Sequence, residues 1–337
     1  MVSFINQTCP SPVFSDSLVD QLWREARSTR FNALAVSTRK NLTTHVRTFL
    51  IFTTYFCLNG FPVQEDILIV YIQFLGQNLK SPASIKNYIL GLQTVSNLHG
   101  LEFPDISCPL FKYHFKGLAR TLAHTTVRAS PITPVILESI LQKLDLSNPL
   151  DASMWAVMLT GFLLFARIGN LLPKTVSGCD LSKQLTRSDV FMAQDAVIFI
   201  LKWTKTIQNM ERVLQVPLYI DQSSKLCPKK ALVNMVSVSP GSSSDHLYCY
   251  RTSSGNSLIT QHHFTQFLRS KLSQCGICPD SFSGHSLRRG GATCAFAKGV
   301  SSELIKSHGD WQSDCYMVYL DFSLKDRLHT TKSILAA

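Results

Sequence analysis

The chain has 337 residues, enough for two domains with cores of their own. A hydrophobic content of 45% against 16% charged residues excludes a disordered chain, and the longest apolar run, Trp155 to Ala166, is too short to span a bilayer. The formal charge of +11 points to an acidic partner such as nucleic acid, and since no Lys/Arg run forms a basic tail, folding must assemble the positive surface. Residues 1–14, with Pro10 and Pro12 and little periodicity, read as a lead-in. A helix is expected from Ser15-Asp16 through Leu22, Trp23 and Ala26. A longer one starts at Ser37-Thr38, places Leu42, Val46, Phe49 and Phe56 on one stripe and ends at Asn59-Gly60. Glu65 to Leu79 gives a third, with Ile67, Val70, Tyr71, Phe74 and Leu75 inward. Ser81-Pro82 starts a fourth that stops at Gly100, and Pro109 to Leu122 is a fifth. Residues 15–123 therefore read as a helical bundle.

The polar, proline-bearing stretch 124–133 reads as a linker, and residues 134–337 as a second domain whose first helix is capped by Thr133-Pro134. The helix around Trp155 to Ala166 is apolar on nearly every face and therefore buried; it exits through Ala166-Arg167-Ile168-Gly169-Asn170-Leu171-Leu172-Pro173. A buried guanidinium is costly unless an anion meets it, although Arg167 taken alone reads equally as a cation satisfying a helix C-terminus. Strands are expected over 190–193, 197–203 and 212–218, forming a small antiparallel sheet. Helices follow over Pro228 to Met235 and Thr260 to Leu272, with a surface loop at 239–245 between them. The fold class is mainly α with a small antiparallel sheet.

Ten cysteines are spread along the chain, and nothing resembles a signal peptide, so free thiols in a reducing, intracellular compartment are expected. Cys275-Gly-Ile-Cys278 lacks the second ligand pair that zinc needs and reads as a turn. No metal and no cofactor is expected.

The stretch 284–320 carries the chemistry. His285 and Arg288 are three apart and can share one helix face; a Gly290-Gly291 pair and a small-residue helix follow, then a stop at Lys298-Gly299 and a new start at Ser301-Ser302. Tyr316 and Tyr319 close the stretch. A cation, an imidazole and a phenol together suit the holding of a phosphodiester and its attack by a tyrosine oxygen.

This segment resembles the C-terminal motif of the tyrosine recombinase (phage integrase) family: His-x-x-Arg on a helix, then a glycine followed by His or Trp, then a nucleophilic tyrosine ten residues after that glycine. The wording HGDWQSDCYMVYL is most similar to the recombinases of eukaryotic mobile elements of the crypton and DIRS-like kind. Gly309 precedes Tyr319 by ten, so the resemblance assigns Tyr319 as nucleophile and leaves Tyr316 to the core. Where the family has His or Trp this chain has Asp310, so Asp310, Trp311 and His308 are the candidates for a phosphate contact there. Arg167 matches the first arginine of the family pattern, with Asn170 where an acid is common. The resemblance places a catalytic lysine in the β-turn after the second strand, and the TKT context favours Lys205 over Lys202.

The implied architecture is an N-terminal, SAM-like core-binding domain that clasps DNA and a C-terminal α+β catalytic domain. Arg39, Lys40, Arg47, Lys80, Lys86, Lys116 and Arg289 are candidates for DNA contacts, each alternatively a solvated cation. The implied function is a site-specific recombinase or integrase that cleaves and rejoins duplex DNA through a 3′-phosphotyrosyl intermediate, without ATP or metal, as a tetramer on two sites in the nucleus. The alternatives are a type IB topoisomerase-like nicking-closing enzyme and a domesticated DNA-binding protein derived from a mobile element. The tail after Tyr319, with Leu324, Leu328 and Ile334 in partial register, is expected either to dock on a neighbouring protomer or to pack at home.

Overall fold

A computed structural model describes residues 18–125, 128–208 and 211–319, together with Leu328 and Lys332; of Tyr319 it describes the backbone alone. The lead-in 1–14 and nearly all of the tail after Tyr319 lie outside these residues. The chain divides into two compact units, residues 1–126 and 127–337. No helix among the described residues is long and apolar enough to cross a membrane.

Among the described residues the first unit has five helices: α1 (Leu18–Asn32), α2 (Val36–Tyr55), α3 (Glu65–Asn78), α4 (Pro82–His99) and α5 (Pro109–Leu122). Its core is aromatic. Phe49, Phe52 and Tyr71 are fully or almost fully buried, with the Phe49 and Tyr71 rings edge to face at 5.0 Å. Helix α2 stops earlier than its stripe suggests. Cys57 takes a left-handed φ of 53° and the Leu58 N–H reaches back to the Thr53 carbonyl at 2.8 Å, so Cys57, ahead of Asn59-Gly60, turns the chain. Phe56 therefore leaves the inward stripe and is half exposed, as is Val70 on α3. Helix α4 behaves as its ends dictate, with proline in its first turn and Gly100 left-handed at its C-cap.

The second unit packs helices around a three-stranded sheet. Its elements are α6 (Pro134–Leu141), α7 (Pro149–Leu163), the single turn α8 (Ile168–Leu171), β1 (Val190–Met192), β2 (Ala196–Leu201), β3 (Leu214–Tyr219) and α9 (Pro228–Val238). A hairpin of β4 (Cys249–Thr252) and β5 (Gly255–Leu258) follows, then α10 (Gln261–Gln274), α11 (His285–Ala297) and α12 (Ser302–His308). The sheet is antiparallel in the order β1-β2-β3, with Val197 opposite Leu218 and Phe199 opposite Val216. These four face the core in strict alternation with less buried neighbours. Helix α7 is buried on every face from Ala152 to Phe162, and the Ser153 hydroxyl donates to the Cys249 carbonyl at 2.9 Å, tying α7 to the second hairpin.

Side-chain caps fix the helix starts. Thr133 accepts from the Ile136 N–H, Thr260 from that of His263 and Ser301 from that of Leu304, each at 3.3 Å. Gly276 in the Cys275–Cys278 turn is left-handed, and the Ile277 N–H closes α10 on the Leu272 carbonyl at 2.9 Å.

Candidate active site

Helix α11 sets the frame because its glycine pair lets it press onto backbone. A Cβ on Gly290 would overlap the Ile132 carbonyl, and one on Gly291 would overlap the Phe162 carbonyl and the Phe165 ring. Leu287 fills the space over Gly161, where an added Cβ would lie 2.9 Å from its Cδ1. Residues 129–132 run beside the start of the helix: the Ile132 N–H donates to the Ser286 carbonyl at 3.0 Å and Arg289 Nη1 to the Ala129 carbonyl at 3.0 Å. Arg289 is thus a buried strut as well as a cation.

The same packing delivers Arg288 to the end of α7. Its side chain is 2% exposed, an unusual state for a guanidinium. Nη1 donates to the Phe165 carbonyl, Nη2 donates to the Gly309 carbonyl at 2.8 Å, and the group stacks 3.7 Å over the Trp311 ring. Phe165 presents its carbonyl because it takes a left-handed φ of 47° after α7 ends. The chain then passes through half-buried Arg167 at the N-cap of α8.

Gly284, one residue before His285, seats on the next residue of that turn, since a Cβ there would stand 2.7 Å from Ile168 Cγ2. Arg167, His285 and Arg288 are therefore neighbours. Partial burial, and then the charges of Arg288 and Arg167, push the His285 imidazole below its ordinary value, so it is neutral at pH 7 and able to accept a proton.

Lys205 lies in the tight turn after β2, closed by mutual backbone bonds of Thr204 and Ile207 at 3.1 and 3.3 Å. Its ammonium is exposed, whereas Lys202 is held in an ion pair with Asp189 at 2.8 Å. The residues flanking Lys205 are tied down from a distant part of the chain. The buried Asp310 carboxylate accepts from Thr204 Oγ1 at 2.7 Å, from Thr206 Oγ1 and from Arg212. Burial raises its pKa, but the bonds from Thr206, Thr204 and Arg212 outweigh burial and hold it below the usual carboxylate value. Asp310 adopts a left-handed φ of 54° directly after Gly309, whose carbonyl holds Arg288. One continuous set of contacts thus runs from the Lys205 turn through Asp310 and Gly309 to Arg288.

The other two candidates at this position are also engaged. His308 turns inward, its Nε2 donating to the Leu163 carbonyl at 2.8 Å and its ring 4.6 Å from that of Phe165. Trp311 is 4% exposed and covers Arg288; its ring folds over Gly309, where a Cβ would overlap it, which accounts for glycine at 309. Tyr316 is buried in the small cluster of Phe165, Ala292, Ile305 and Trp311. Tyr319 ends the 3-10 turn Asp314–Tyr319, and its phenol lies outside the described residues. In the first unit Lys40, Arg47, Lys80, Lys86 and Lys116 are exposed, and Arg39 is half-buried with Nη1 donating to Asn32 Oδ1 at 3.4 Å.

The sequence reading did not find the Thr204, Thr206 and Arg212 clamp on Asp310. The signal it left was a pair of threonines around a lysine and an acid where the motif carries a His or Trp.

No protein-family model and no curated protein sequence matches the chain. Solved structures do. The Tn1549 transposon integrase with transposon right end DNA superposes with a TM-score of 0.62 at 12% identity, covering 93% of this chain and 99% of that one. The XerH site-specific recombinase bound to difH substrate gives 0.58 at 17% identity, covering 99% and 87%. A lambda integrase dimer bound to a COC′ core site gives 0.54 at 15% identity, covering 97% and 81%. The helical first unit and the α+β second unit have the fold of the tyrosine recombinases.

Proposed function

We propose that this chain is a tyrosine recombinase that cuts and rejoins duplex DNA through Tyr319. The observation that carries the reading is the contact set joining Arg167, His285 and Arg288 to the turn that bears Lys205. Three solved relatives in fold, each in complex with DNA, support it.

The chemistry follows from charge. Attack of the Tyr319 oxygen on a backbone phosphorus forms one P–O bond and breaks the bond to the 5′ oxygen. Negative charge grows on the non-bridging oxygens, where the Arg167 and Arg288 guanidiniums offer paired donors. Loss of one such donor costs about 3 kcal/mol of barrier in comparable oxyanion sites. Neutral His285 takes the phenol proton, and Lys205 gives one to the departing 5′ oxygen. The products are a 3′-phosphotyrosyl ester and a 5′ hydroxyl. A hydroxyl from a second strand reverses the step; one ester replaces another, so no ATP is consumed. Asp310, already shared by three donors, holds the Lys205 turn rather than the phosphate. Two sites joined by four protomers are the implied assembly, and the nucleus the implied compartment, as for the mobile elements of crypton or DIRS-like kind.

Incubation of the full chain with a pool of nicked, sequence-randomised duplexes is the test. A protein–DNA complex that survives denaturant is expected from wild type and from Tyr316→Phe, and none from Tyr319→Phe. Relaxation of supercoiled plasmid without joining of two duplexes points to the nicking-closing alternative. Tight DNA binding with no denaturant-resistant complex points to the domesticated binding protein and overturns the enzymatic reading.

A further inference from the structure

We propose that a recess beside His285 is a second phosphate site, which takes a non-scissile phosphodiester of the same DNA strand. The inference rests on the reading of the chain as a DNA strand-cutting enzyme and adds a subsite to it.

The recess has a volume of about 440 Å³ and is lined by the side chains of Arg128, Arg269 and Arg289. Each guanidinium is oriented by a backbone carbonyl: Arg128 Nη1 donates to Val318 at 3.4 Å, Arg269 Nε to Phe282 at 3.3 Å and Arg289 Nη1 to Ala129 at 3.0 Å. For Arg128 and Arg269 a carbonyl fixes direction and leaves the net charge standing. Among the described residues Arg128 and Arg269 form no ion pair. Among the described residues of the lining Asp280 is the one acid, and it faces the guanidiniums of Arg128 and Arg269.

Gathering like charges in a concave site raises its potential and favours an anion. Guanidinium forks match phosphate oxygens, and the hydroxyls of Ser281 and Ser283 on the same wall can donate as well. His285 connects the two sites. It lines this recess, and it also feels the charges of Arg288 and Arg167. A strand carries one phosphate for every ~3.4 Å of helix axis. On this proposal a strand with one phosphate at Arg167 and Arg288 places an adjoining phosphate at the recess. The consequence is a requirement for continuous backbone charge beside the cut.

Two measurements decide it. The first is the salt dependence of binding of the full chain to a 30-base-pair random-sequence duplex. Arg128→Gln combined with Arg269→Gln should lower the slope of log affinity against log salt by about 1, for the one phosphate the recess takes. Arg128→Lys with Arg269→Lys should restore most of it, and Lys229→Gln on α9 should leave the slope at its wild-type value. An unchanged slope in the double Gln variant overturns the proposal, with no cleavage needed.

The second uses the duplex captured by denaturant-resistant trapping, with single phosphates near the cut replaced in turn by uncharged methylphosphonate. One neighbouring position should slow wild-type trapping about tenfold and leave the already slowed double Gln variant unchanged. Equal, independent losses at every position overturn the subsite while leaving the enzymatic reading intact. Absence of trapping by wild type overturns that reading, and the salt slopes still judge the anion site.

Discussion

Asp310 occupies the position at which a phosphate donor was expected, and its surroundings give it a different task. Its carboxylate takes bonds from Thr204, Thr206 and Arg212, so it anchors both sides of Lys205. Asp310→Asn keeps an acceptor for the threonines and tolerates the left-handed backbone, but loses the charge that meets Arg212. The expected result is trapping slowed by about 10²-fold, in the range of a misplaced general acid, with DNA affinity changed less than about threefold. A duplex with sulfur replacing the departing 5′ oxygen should recover most of the lost rate, because a thiolate (ordinary pKa ~8.5) leaves without a proton. Equal slowing on both duplexes would show that Asp310 acts on something other than Lys205. This role was not legible in the sequence: the partners lie about a hundred positions upstream, and a single acid beside a tyrosine motif does not indicate which turn it will meet.

Helix α11 owes its seat to two absent side chains. Gly290 and Gly291 face the Ile132 and Phe162 carbonyls, and backbone cannot yield to an added methyl as a flexible side chain can. Gly290→Ala should destabilise the second unit by at least about 2 kcal/mol, as overpacked interiors do, read as a lower urea midpoint. Gly117 on α5 has open space around it, so Gly117→Ala should stabilise the first unit by about 0.5–1 kcal/mol through helix propensity alone. If both substitutions shift stability in the same direction, the close approach of α11 to its neighbours is wrong.

At this scale much was legible. The stripe Leu42, Val46 and Phe49 and the proline starts of α4 and α5 follow from periodicity and capping, and the first two strands follow from short apolar runs. The stripe overran at Phe56 because the turn is made by Cys57, a residue type with no preference for it. The β4–β5 hairpin went unread because its strands are only four residues each, without an apolar run, and only Gly255 marks its turn.

The molecule as a whole carries a surplus of positive charge, and buried histidines set how it responds to acid. His246 is 3% exposed, and burial lowers its pKa to about 4 from an ordinary 6.5. Below pH 6.5 the unfolded chain takes up a proton that the folded one refuses. The contribution is therefore intact above pH 6.5 and is lost progressively as pH falls to about 4, by about 3 kcal/mol in total. His246→Asn, which keeps an acceptor for the Tyr248 N–H, should flatten the urea midpoint between pH 7 and 4.5. A slope equal to wild type would assign the acid response to other groups. Asp180, held at about 2 chiefly by Lys183 and Ser182, acts in the same direction but only at lower pH.

The central claim concerns which atom joins the DNA. Protease digestion of the denaturant-resistant complex, nuclease trimming and mass spectrometry of the remaining peptide would read it directly. The account predicts a nucleotide phosphate on Tyr319, within the peptide that contains Tyr316, with fragment ions placing the added mass on the second tyrosine. A modification on Tyr316, on a serine or on any residue outside this segment would contradict it.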